Sequence, residues 1–179
     1  MSPFQVPFDF ELESDFFGDV RNRFGDAEEF DIPDSHHEVG ICYSSSDSDE
    51  IVIFVSGHEF GGADRKLLGV TIQAANSHDF PCSASALESS DLKIGELRLD
   101  LAPDEFAALS AGDPLTSDDG SLYFNLEYRR ALNADERRVF EERGFGDATP
   151  DGIDVGLGIW STFKGDHSVE VGVWQISTF

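Results

Sequence analysis

Apolar residues recur at every second position through most of this chain, and that period constrains its fold more than any other feature. Ile51-Val52-Ile53-Phe54-Val55 is a continuous β-branched and aromatic run, the mark of a central strand covered on both sides. Leu68, Val70, Ile72 and Ala74 alternate with Gly69, Thr71 and Gln73. Leu97, Leu99 and Leu101 alternate with Glu96, Arg98 and Asp100, and Leu122, Phe124, Leu126 and Tyr128 with Tyr123, Asn125, Glu127 and Arg129. Each pattern predicts a strand with one side facing a core.

The last stretch predicts a hairpin. Ile153 to Phe163 and Ser168 to Phe179 flank Lys164-Gly165-Asp166-His167, with Gly165-Asp166 as the turn. An unbroken two-residue loop places Leu157 opposite Trp174 and Trp160 opposite Val171. Large apolar side chains then occupy both faces, so the hairpin is either covered on both sides or binds a partner through one.

Short helices interrupt the strands. Ser14 can cap a helix carrying Phe16, Val20 and Phe24 at i, i+4, i+8, with Gly25 ending it. Pro103 suits a first turn before Phe106, Ala107 and Leu109. Asn133 followed by Glu136 reads as a capping box, and Gly144 as a stop. The expected fold is α+β: a mostly antiparallel sheet with two or three short helices, in one domain over residues 1–179.

Charge restricts the partners. Asp and Glu number 36 against 12 Lys and Arg, a formal net charge of -24, well beyond the magnitude of about 2 to 8 that solubility needs. Such a field repels nucleic acid and anionic membrane and attracts basic surfaces. Residues 1–50 carry 14 acids and only Arg21 and Arg23, half of the net charge. They also hold Phe4, Phe8, Phe10, Phe16, Phe17, Phe24 and Phe30, and Phe8-Asp9-Phe10-Glu11-Leu12-Glu13 alternates as a strand does. This acidic, Phe-rich segment is expected to anchor on or beside the core. The loop Ser44-Ser45-Ser46-Asp47-Ser48-Asp49-Glu50 adds a second acidic stretch, without the glycine a calcium loop requires.

No motif points to catalysis. His36, His37, His58, His78 and His167 lack the i, i+4 spacing of a zinc helix, and no Cys-x-x-Cys occurs. Cys42 and Cys82 fit reduced thiols, and the N-terminus lacks the basic leader and apolar region of a signal peptide, so the cytoplasm is the expected compartment. No catalytic residue, cofactor or metal is assigned. Arg129, Arg130, Arg137 and Arg138 are expected to pair with nearby acids.

The expectation is therefore an acidic inhibitor or decoy that imitates nucleic-acid phosphates and binds a basic, nucleic-acid-binding protein, such as a nuclease, restriction or CRISPR component. Composition and size resemble those of anti-restriction, anti-CRISPR and toxin-immunity proteins, with no motif in common. The residues expected to touch that partner are Glu11, Glu13, Asp15, Asp19, Asp26, Glu28, Glu29, Asp31, Asp47, Asp49 and Glu50. The alternatives are a protein of a salt-rich cytosol, consistent with only three lysines, or a small β-rich enzyme or binding protein.

Overall fold

The computed structural model of the chain describes residues 12, 15–33, 38–57, 65–76, 78–110, 113–132, 134–145 and 152–176. The strands β1 (Glu29–Asp31), β2 (Glu38–Ser44), β3 (Ile51–Gly57) and β4 (Gly69–Gln73) form one antiparallel meander, of which the sequence pattern predicts β3 and β4. β8 (Leu115–Thr116), β9 (Leu122–Ala131), β10 (Gly152–Lys164) and β11 (His167–Ile176) form a second. The two join where β4 pairs with β11, giving the order β1-β2-β3-β4-β11-β10-β9-β8. β5 (Ser83–Ala84) adds in parallel to β2, and β6 (Lys93–Ile94) with β7 (Leu97–Arg98) makes a separate small ribbon. With α1 (Phe17–Phe24), α2 (Pro103–Ala108) and α3 (Ala134–Phe140), the architecture is α+β as expected. Among the described residues, no helix is long and apolar enough to cross a membrane.

Strand alternation sorts side chains onto two faces. On one face Tyr43, Phe54, Val70, Ile72, Val171, Val173, Leu157 and Ile159 make the main core, together with Phe17 and Val20 of α1 and Phe106 of α2. Phe24 closes on Tyr43 and Phe54 at centroid distances of 5.5 and 6.2 Å. Ile94 and Leu97 from the ribbon, with Leu92 just before it, complete the cover. The other face holds Cys42, Ile51, Ile53 and Val55 under Phe30, Ile32, Phe80 and Trp174. β3 is buried along its whole length, as the run Ile51 to Val55 predicts.

Three expectations are corrected. Cys42 and Cys82 are joined as a disulfide, with Cα atoms 4.4 Å apart. The chain after β4 folds back so that β5 lies beside the end of β2, which brings the two thiols together on the second face. The case for a reducing compartment that rested on free thiols falls with it.

The hairpin register also differs by one. Lys164 pairs with His167 around Gly165 at φ 72°, as expected, but a bulge between Thr162 and Phe163 shifts everything beyond. Trp160 faces Gly172, and Trp174 faces Gly158. Ser168, paired with Phe163 on the turn side of the bulge, is buried. Its hydroxyl accepts from Leu101 N–H at 2.9 Å and donates to Arg98 C=O at 3.1 Å, pinning the 98–101 segment. The same shift sends Val171 and Val173 to the main core and Trp174 to the opposite face.

The alternation of Leu97, Leu99 and Leu101 gives only the two residues of β7, because Asp100 adopts φ 63° and turns the chain.

Candidate functional site

The acidic segment is built into the body of the protein. Phe17 N–H donates to Arg65 C=O and Leu67 N–H to Asp15 C=O, both at 2.9 Å, so residues 15–17 run beside 65–67. α1 then lays Phe17, Val20 and Phe24 on the core and ends at Gly25, φ 96°. Its cap is not Ser14, which lies outside the described residues; Phe16 is the N-cap, and Asp19 accepts its N–H at 3.0 Å. Of the strand expected over Phe8 to Glu13 only Leu12 is described, packed on the core; Glu11 and Glu13 lie outside the described residues, as do His36, His37 and His58.

The remaining acids divide by role. Glu29 is internal to the fold: Arg65 Nε donates to it at 2.6 Å and Arg21 Nη2 at 3.0 Å. Partial burial pushes its carboxyl up, but those two guanidinium groups outweigh it and hold the carboxyl below the ordinary value. Asp19 is spent on the helix cap, and Asp15, half-buried, lies in the segment paired with 65–67. Asp31 is exposed at the far end of β1.

Asp26, Glu28, Asp47, Asp49 and Glu50 converge at one end of the sheet. Glu29 pairs with Ile41, and Tyr43 Oη donates to Gly25 C=O at 2.8 Å, so Asp26 and Glu28 lie beside the end of β2, where the Asp47–Glu50 turn begins. Burial raises the Tyr43 phenol to about 12, leaving it a neutral donor at any working pH. Asp47 anchors the turn, accepting from Ser45 Oγ at 2.6 Å and Ser89 N–H at 2.8 Å. These bonds hold its carboxyl below the ordinary range. Ser48 Oγ donates to Glu50 at 3.1 Å.

Ser46 N–H donates to Leu87 C=O at 2.6 Å, which draws the 87–91 stretch to the same end and adds exposed Glu88 and Asp91. Sequence reasoning missed these two because nothing local links residue 47 to residue 89. Elsewhere, Arg138 pairs with Glu142 at 3.0 Å, as expected for that residue, and Arg129 donates to Gly152 C=O at 3.2 Å.

The second face carries a different feature, a groove of about 280 Å³ between the loops and the C-terminal hairpin. Its walls include Phe80, His78, Trp160 and Trp174. Among the described residues no group of three His, Cys, Asp or Glu side chains is placed to hold a metal ion. Comparison with known families, with curated proteins and with solved structures yields no match.

Proposed function

We propose that the protein is an acidic ligand of a basic protein surface, an inhibitor that occupies a site where nucleic-acid phosphates would otherwise lie. The observation that carries this reading is the set Asp26, Glu28, Asp47, Asp49 and Glu50 at one end of the sheet, held by hydrogen bonds and by the Phe anchors of α1. An ordered array of carboxylates binds without the ordering cost of a flexible tail. Electrostatic steering speeds its encounter with a basic partner about 10- to 1,000-fold, and added salt weakens it. The partner class is a nuclease, restriction or CRISPR component.

The test measures inhibition of DNA binding by a panel of such purified proteins. Neutralising Asp26, Glu28, Asp47, Asp49 and Glu50 to amides removes inhibition, while neutralising exposed Asp104, Asp113, Glu127, Glu141 and Glu142 leaves it largely intact at equal net charge. Equal loss in both variants would overturn the reading.

Adaptation to a salt-rich medium is the second reading, favoured by exposed acids outside that set, such as Asp104, Asp113, Glu127 and Glu141. It predicts that the fold melts near 0.05 M KCl and recovers at 3 M, where screening is almost complete.

A further inference from the structure

The groove on the second face has a chemistry of its own, and its argument does not depend on the acidic end. Its floor comes from the middle of the sheet: Thr71 and Gln73 of β4 beside Ile53 and Val55 of β3. Two glycines shape its indole wall. Trp160 lies over Gly172, filling the space that a Cβ there would need, and Trp174 lies over Gly69, whose added Cβ would sit 3.1 Å from the ring. Opposite stands Phe80, fixed by Asn76, which exchanges side-chain bonds of 2.8 Å with both Phe80 N–H and C=O. Phe30 stacks behind it at 4.8 Å, and the disulfide closes that wall two residues on.

Two carboxylates stand among the polar groups of the groove. Glu38 and Glu170, both half-buried, line it, and among the described residues no Lys or Arg does. Gln73, 8% exposed, donates Nε2 to Glu170 at 3.3 Å, which leaves its Oε1 buried without a hydrogen-bond partner. A buried acceptor with no donor is costly, so Gln73 Oε1 favours a ligand that brings a donor.

Aromatic faces beside two carboxylates complement a cation with an apolar coat. The volume sits at the lower edge of ligand pockets, too small for a drug-sized molecule. We propose that this groove binds a small organic cation that carries one hydroxyl donor, a quaternary ammonium alcohol of the size of choline.

The chain has two tryptophans, and both line the groove, so intrinsic fluorescence reports on this site. Choline titrated against the intact, disulfide-bonded protein should give a saturable emission change below about 10 mM at constant ionic strength. Glu170→Gln and Glu38→Gln should each weaken binding roughly tenfold, with the unfolding midpoint confirming that each variant folds. The neutral carbon analogue 3,3-dimethylbutan-1-ol separates charge recognition from simple apolar filling and should bind at least roughly tenfold more weakly.

The proposal is overturned if the analogue binds as tightly as choline, if sodium chloride alone reproduces the change, or if folded Glu170→Gln and Glu38→Gln leave the affinity unchanged. Saturable binding of cellobiose with none of choline would overturn it in favour of a sugar site. Loss of the acidic-end inhibition leaves this result unaffected, so the two readings fail separately.

Discussion

The two faces of the sheet solve the same packing problem in opposite ways. One face is closed: Tyr43, Phe54, Ile72 and Val173 meet helices and the β6–β7 ribbon. The other alternates small residues with large ones, Gly172 under Trp160 and Gly69 under Trp174, and is covered by loops, a disulfide and a groove. Both use the same strands, so a single residue of register decides which chemistry each side receives. Stability is concentrated on the closed face, and the room for a ligand lies on the other.

Substitutions can separate the two. Phe54 is fully buried, and Phe54→Ala should cost about 3–5 kcal/mol in urea unfolding, the largest effect expected. Replacing both Cys42 and Cys82 by Ala should cost about 2–4 kcal/mol, since the bridge closes a loop with a sequence separation of 40. Unlike Phe54→Ala, it should also change tryptophan emission in the still-folded state, because it frees the wall that carries Phe80. Gly172→Ala should cost about 1–3 kcal/mol, because Trp160 has to move aside, and its signature is altered indole emission with the main core unchanged.

The smallest effect concerns Glu29. Its carboxyl is held below the ordinary 4.5, so the stability it contributes is present above that pH and is lost as pH falls through the lower folded-state value. The gap between wild type and Glu29→Gln, about 1 kcal/mol at pH 6, should close on acidification below about pH 4.5, as followed by the urea midpoint.

What was legible in the sequence follows from how local each cause is. The runs at 51–55 and 122–128, the helix stop at Gly25 and the Gly165 turn depend on neighbours a few positions away, and each forms where the pattern places it. The bulge does not: it lies beside Ser168, which bonds to residues 98–101, some 70 positions earlier. The disulfide likewise waits on the return of the chain to β2.

The acidic site was half legible. Asp26, Glu28, Asp47, Asp49 and Glu50 share one end, whereas Glu29 and Asp19 are consumed by the fold itself, and Glu88 and Asp91 arrive from a distant segment. The groove was foreshadowed only by apolar residues on both sides of the hairpin. Its walls come from segments that no period connects.

The join between the two meanders has a kinetic consequence. Gln73 and Glu170, which meet across it, are 97 residues apart in the chain. Closing so long a loop is slow relative to hairpin formation, so β4 stays an open edge until β11 arrives. That edge, Gly69–Gln73, is fully buried in the finished protein and would otherwise invite pairing with another copy. A chain carrying a net charge of -24 repels its own kind during that interval, so the acidity that marks the finished surface also guards the unfinished one.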